Sequence, residues 1–85
     1  MPYRIKITSG AEHDLHALPS NILKRVNARI AALAENPRPS GVRKLSGADG
    51  LYRIRIGDYR IIYEIRDAVL VVIIIRARHR REAYR

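Results

Sequence analysis

Arg53, Arg55 and Arg60 lie in two stretches, Leu51-Tyr52-Arg53-Ile54-Arg55-Ile56 and Tyr59-Arg60-Ile61-Ile62-Tyr63, where charge is interleaved with apolar and aromatic residues. A guanidinium is charged at every physiological pH and can grip a phosphate through two parallel hydrogen bonds. Arginines gathered on one surface therefore suit holding a phosphodiester and stabilising charge that builds on it. For the same reason they carry protons poorly. A second group follows, Arg76, Arg78, His79, Arg80, Arg81, Tyr84 and Arg85. It adds an imidazole, with an unperturbed pKa of about 6.5, and a phenol, with one of about 10.

Whether these side chains meet depends on the elements that carry them. Leu51–Ile56 and Tyr59–Arg66 read as strands joined by Gly57-Asp58. A two-residue hairpin turn sets Ile56 against Tyr59, Arg55 against Arg60, Ile54 against Ile61 and Tyr52 against Tyr63. Tyr52, Ile54, Ile56, Tyr59, Ile61, Tyr63 and Ile65 then share the core face, while Arg53, Arg55, Arg60, Glu64 and Arg66 point from the other. Arg55 directly across from Arg60 is a like-charge pair, which weakens a sheet by a few tenths of a kcal/mol unless an anion neutralises it. The bland alternative is two side chains splayed into water at little cost. With Arg53 beside them, a phosphate site is the expectation, extended by Arg76, Arg80 and Arg81 where the basic end of the chain emerges near Tyr59 and Arg60.

The remaining elements supply the support. Tyr3-Arg4-Ile5-Lys6-Ile7 alternates as a first strand. Ser9-Gly10-Ala11-Glu12 matches a capping box with Ser9 as the cap, and Ala11, Leu15 and Leu18 form the buried stripe of a first helix that Pro19 stops. Ser20 is expected to cap a second helix with Ile22, Val26, Ile30 and Leu33 at helical spacing, ended by Asn36-Pro37 and Pro39. Residues 37–50 hold two prolines and three glycines and read as a surface loop. Residues 69–77 read as a third strand after a tight turn near Asp67, central because 69–75 are all apolar. Residues 80–85 could add one helical turn. The expected fold is α+β: an N-terminal strand, a helical hairpin, a three-stranded antiparallel meander and a short basic C-terminal segment, in a single domain over 1–85.

Composition agrees with an anionic partner. The chain has 85 residues, enough for one modest core. Seventeen Lys and Arg against eight Asp and Glu give a net charge of +9, and residues 51–85 alone hold nine arginines, no lysine and four acids. Such a field attracts polyanions and makes binding fall with salt, although a solvated face is the commoner origin of a charge run. There is no cysteine, hence no disulfide or Cys-based zinc site. No apolar leader stands at the start, and the longest apolar run, 68–75, is too short to span a bilayer. A soluble, cytoplasmic protein with no membrane partner is expected.

With these residues laid out, the chain resembles the RelE-type toxins of bacterial and archaeal type II toxin–antitoxin systems, in the wider RelE/ParE superfamily. The echoes are Pro37, Lys44-Leu45 with Gly47, Leu51-Tyr52-Arg53-Ile54-Arg55, Gly57-Asp58-Tyr59-Arg60-Ile61-Ile62-Tyr63 and the closing Arg78-His79-Arg80-Arg81-Glu82-Ala83-Tyr84-Arg85. The resemblance implies a metal-independent endoribonuclease without cofactor, an mRNA interferase that enters the ribosomal A site and cleaves the codon there with the messenger's own 2′-hydroxyl as nucleophile. It implies a cognate, RelB-like protein antitoxin that neutralises a free, monomeric toxin. By motif it places active-site basic residues at Arg53, Arg55, Arg60 and Arg78 and a tyrosine at Tyr84.

Attack by a 2′-hydroxyl needs a base, cations for the developing phosphorane and an acid for the departing 5′-oxygen. Arg53, Arg55 and Arg60 suit the second task. The resembled enzymes often carry lysine where Arg53 and Arg55 stand, so proton transfer falls to Tyr84, His79 or Arg78. The resemblance favours Tyr84 as base and Arg78 at the leaving oxygen. Two other functions fit the same fold class: a ParE-like inhibitor of DNA gyrase, and a catalytically inactive nucleic-acid-binding relative. Other signals are weaker. His13 and His16 beside Asp14 lack a third placed metal ligand, Tyr52, Tyr59 and Tyr63 alternate onto the core side, and the loop from Gly41 to Gly50 lacks the ending of a nucleotide-binding loop.

Overall fold

In the computed structural model, which describes residues 2–45 and 50–81, strand β1 (Arg4–Ile7) passes through Thr8 directly into helix α1 (Ser9–His16). Helix α2 (Ser20–Ala32) follows, then the strands β2 (Arg43–Lys44), β3 (Leu51–Ile56), β4 (Tyr59–Arg66) and β5 (Val71–His79). They form one five-stranded sheet in the order β1-β5-β4-β3-β2, with β1 parallel to β5 and the other neighbours antiparallel. The expected α+β architecture, helical hairpin and meander are present, and the β3–β4 hairpin has the expected register pair for pair, from Ile56 opposite Tyr59 to Tyr52 opposite Tyr63. No described helix is long and apolar enough to cross a membrane.

The core lies between one face of the sheet and the two helices. Ala11 and Leu15 of α1, with Val26, Ile30 and Leu33 at the end of α2, pack on Ile54, Ile56, Ile61, Tyr63, Val72 and Ile74. These are the positions that period two in the strands and the helical stripes select. Leu18 and Ile22 are half-buried at its margin.

Local details differ from expectation for physical reasons. Thr8, not Ser9, caps α1: its extended backbone leaves Oγ1 free to accept the Ala11 N–H at 3.1 Å, whereas Ser9 is already helical. Likewise Pro19 occupies the cap position of α2, no side chain caps it, and Ser20 is its first helical residue. The loop at 37–50 contributes the short edge strand β2. The third meander strand begins at Val71 rather than Val69, because residues Asp67–Val69 form a 3-10 turn closed by Leu70 in the left-handed region at φ 54°. Arg80 and Arg81 lie in a turn; the expected helical turn at 80–85 falls largely outside the described residues.

One irregularity matters for everything on the far face. Ile62 pairs with Arg76 but Tyr63 pairs with Ile74, so Ile75 is an extra residue in β5. Strict alternation from the buried Ile74 would turn residues 76 and 78 into the core. The bulge shifts the phase, so Ala77 is buried and Arg76 and Arg78 emerge opposite Ile62 and Arg60. Thr8 braces this point: its N–H donates to the Ile74 carbonyl at 3.0 Å and its hydroxyl to the Ile75 carbonyl at 3.2 Å.

At the other end of β4 a polar cluster anchors the loop that leads to β2. Arg38 donates to both carboxylate oxygens of Asp67, at 3.2 and 2.8 Å, and lies 5.2 Å above the Tyr52 ring. Tyr3 donates its hydroxyl to Asp67 at 2.6 Å. These donors, Arg38 foremost, hold the Asp67 carboxyl down at about 2. The fully buried Tyr63 donates its hydroxyl to the Pro37 carbonyl at 2.7 Å, and burial pushes its phenol up to about 12.

Both sets of bonds have measurable consequences for stability. Thr8→Val removes the cap and the hydroxyl half of the brace together and should cost about 1–2 kcal/mol in urea unfolding, with an unchanged m-value. Because the folded Tyr63 titrates above the ordinary phenol value, its contribution is fully present below about pH 10 and is lost as pH rises through about 12. The stability gap between the wild type and Tyr63→Phe should therefore narrow over that alkaline range in thermal melts.

Candidate nucleic-acid interface

The strand pairings assemble the arginines into two neighbouring rows. Arg55, Arg60 and Arg78 stand directly opposite one another across β3, β4 and β5. Beside them Arg43 of β2 pairs with Arg53 of β3, Arg53 with Ile62, and Ile62 with Arg76. Directly paired residues on antiparallel strands lie roughly 4.5–5.5 Å apart at Cα, so the charges of each row are close neighbours. Arg53 and Arg55 are two residues apart on one strand and share a face.

Burial sharpens the arrangement. Arg55 is exposed at the margin, whereas Arg60 at the centre is only 7% exposed and is the one charged side chain in the buried class among the described residues. The Arg53 Nε is buried and makes no hydrogen bond among the described residues. A buried guanidinium nitrogen in such a place is a donor available to an anion.

Among the described residues little acid offsets this charge. Glu64 is taken up by Arg66, at 2.5 Å. Asp14 of α1, whose side chain is 13% exposed, lies 3.4 Å from a guanidinium nitrogen of Arg76 and 3.8 Å from that of Arg78. It also accepts the Ala77 N–H at 3.1 Å, on the stretch of β5 beyond its pairing with β1. Gly10 leaves room for Arg76 over the first turn of α1, since a Cβ there would lie 3.2 Å from its guanidinium.

The tail joins the patch only in part. The Arg80 N–H donates to the Asp58 carbonyl at 2.7 Å, tying the turn after β5 to the β3–β4 hairpin, and Arg80 and Arg81 are exposed. His79, next to Arg78 in β5, turns to the opposite face of the sheet. It pairs with Tyr59, one residue out of phase with Arg60 and Arg78, and the two rings meet edge to face at 5.2 Å on the helix side. Both line a cleft of about 450 Å³ together with His13, Asp14, Leu18 and Arg78. Tyr84 and Arg85 lie outside the described residues. No group of three or more His, Asp or Glu side chains is placed to hold a metal ion among the described residues.

Sequence reasoning misses Arg43, Asp14 and the cleft residues His13 and Tyr59. Arg43 sits in a segment that reads as loop. In the sequence Asp14 stands out only as a companion of two histidines, and its role becomes visible once α1 lies along β5.

What the arrangement can do is bind a phosphodiester: several guanidiniums carried on one sheet, one of them on a buried side chain. It does not itself contain a proton-transfer group among the described residues of the rows.

Comparison with known proteins shows what the chain is similar to. Residues 5–84 match the family model described as the ParE toxin of the type II toxin–antitoxin system parDE. The chain is 36% identical over 86 residues to the toxin RelG of Mycobacterium tuberculosis, covering all of this chain and 99% of that protein. Among solved structures it is similar to the RelE–RelB complex of Pyrococcus horikoshii, with TM-score 0.83 and 34% identity over 94% of this chain and 97% of that one. It is also similar to the RelBE2 toxin–antitoxin complex of M. tuberculosis, with TM-score 0.81 and 33% identity over 93% and 99%.

The rows make a prediction that needs no assumption about catalysis. Arg55→Ala should leave folding stability unchanged or raise it by a few tenths of a kcal/mol, because a like-charge pair is relieved. The same change should weaken binding of a short single-stranded RNA in fluorescence anisotropy and lower the salt slope by about 0.7 for each phosphate that is no longer neutralised. Reduced stability with unchanged affinity would contradict it.

Proposed function

The chain belongs to the RelE/ParE family of type II toxin–antitoxin toxins as a RelE-type member, and from that premise we propose that it is a ribosome-dependent endoribonuclease cutting messenger RNA in the A site. The observation that carries this reading is the row Arg55, Arg60 and Arg78, with Arg53 and Arg76 beside it, on the far side of the sheet from the core. A scissile phosphate seated there meets positive charge from three strands.

In this reading the message's own 2′-oxygen attacks the adjacent phosphorus, the bond to the 5′-oxygen breaks, and a 2′,3′-cyclic phosphate and a 5′-hydroxyl result. Negative charge grows on the non-bridging oxygens at the crowded transition state. Fixed guanidiniums stabilise it without reorganising, and do so best where water is scarce, as around Arg60. Arg53 and Arg55 hold the phosphate on one side, and on the other Arg78 stabilises the leaving 5′-oxygen, which takes a proton from water to become the 5′-hydroxyl. The 2′-hydroxyl proton goes to Tyr84, whose phenolate a ring of arginines would stabilise. His79, turned toward the cleft beside Tyr59, is assigned no proton transfer. Arg76, Arg80 and Arg81 contact flanking phosphates. The mechanism calls on no metal or cofactor.

The partners in this reading are the message in the ribosomal A site and a cognate protein antitoxin, supported by relatives whose solved structures are complexes with RelB. The toxin acts in the cytoplasm, as a monomer when free. The ParE description of the matching family model favours gyrase inhibition as the second reading.

The test is a reconstituted translation system with a defined message, 5′ ends mapped by primer extension, beside naked message and an Arg60→Ala, Tyr84→Phe double variant. Discrete cuts at the A-site codon, only with ribosomes and lost in the variant, are expected. Intact message from folded protein, with inhibition of gyrase supercoiling, would move the assignment to the second reading.

A further inference from the structure

A guanidinium that is to meet a phosphate must first be held against the repulsion of its neighbours. Arg78 faces Arg60, which faces Arg55, and Arg76 stands two residues before Arg78 on the same strand. Nothing in the sheet itself would keep Arg78 in line, since every direct cross-strand partner in its row is an arginine.

Among the described residues the carboxylate in reach is Asp14, and it arrives from a different element. β1 leaves β5 after Ile7 pairs with Ile74, so the outer edge of β5 beyond the bulge is open. Helix α1 fills that edge. Asp14 accepts the Ala77 backbone N–H at 3.1 Å, which fixes the carboxylate between residues 76 and 78. From there it reaches the guanidiniums of Arg76 at 3.4 Å and Arg78 at 3.8 Å. The Arg78 contact is longer than a hydrogen bond and is made by a side chain that is 37% exposed. It orients the guanidinium without saturating it, so its donors stay available to a phosphate.

We propose that Asp14 is a positioning residue for the cutting reaction: seated on the Ala77 amide, its charge holds Arg78 in line with Arg60 until a phosphate takes over the guanidinium. The inference rests on the nuclease reading above. It makes Asp14 a residue that touches no substrate atom, opposes RNA binding slightly by its sign, and raises turnover through Arg78.

Asp14→Asn tests it, because an amide oxygen still accepts the Ala77 N–H while the charge is gone. Single-turnover cutting on programmed ribosomes should slow about tenfold, with an apparent KM that is unchanged or lower, since one negative charge has left the phosphate site. In an Arg78→Ala background the same change should have no further effect on the rate, because a residue that acts through another loses its effect when that other is absent. A merely structural Asp14 would slow both backgrounds alike, or raise KM, and either result overturns the proposal. So does a rate for Asp14→Asn equal to wild type. If Asp14→Asn melts early, Asp14→Ser, whose hydroxyl can also accept the Ala77 N–H, carries the same cycle with the same expectations. A wild-type protein that fails to cut overturns the nuclease reading itself, whereas active wild type with additive variants overturns only the role of Asp14.

Discussion

The extra residue at Ile75 is the constraint on which the basic surface depends. Up to Ile74, β5 turns its even-numbered residues, Val72 and Ile74, into the core; after the bulge it turns Ala77 there instead, and only this change of phase brings Arg76 and Arg78 to the face that carries Arg53, Arg55 and Arg60. The bulge is held where β1 ends and α1 begins, by the two bonds that Thr8 donates to the carbonyls of Ile74 and Ile75. One threonine thus ends a strand, caps a helix and fixes the phase of the strand on which the site closes. Bulges beside functional sites commonly re-aim a side chain in this way.

The electrostatics follow from that geometry. A sheet that aligns arginines across three strands works against its own stability. The fold meets this with a well-filled core on the opposite face and with a single carboxylate brought in by α1. The surface is left with more positive charge than the described acids neutralise. Under the proposed function this excess of charge serves to bind a phosphodiester, and it fits a chain that is +9 overall.

Much of this was legible in the sequence, and the limits are instructive. The Gly57-Asp58 turn determines the β3–β4 register by counting, so the opposition of Arg55 and Arg60 was readable without coordinates. Helical spacing likewise marked Ala11, Leu15, Val26, Ile30 and Leu33 as core. The bulge was not legible, because an all-apolar run hides its own phase: residues 71–75 show no alternation from which a slip could be noticed. The place of His79 is hidden for the same reason. Asp14 was invisible as a counter-ion because its partners are more than sixty positions away, and the cap of α1 slipped by one residue since Thr8 and Ser9 are equally good capping types. Tyr84, named by resemblance alone, lies outside the described residues.

The central claim is that the arginine rows hold a phosphate while the message's own 2′-oxygen attacks it. It is tested most directly with a message carrying a single 2′-deoxy nucleotide immediately 5′ to the expected cut, presented to the protein on ribosomes stalled at that codon. The account predicts that cutting disappears at that nucleotide alone, while an all-ribose message is cut there and leaves a cyclic phosphate on its upstream fragment. Undiminished cutting at the deoxy position would contradict it, because a water or side-chain nucleophile would then be doing what is assigned to the RNA.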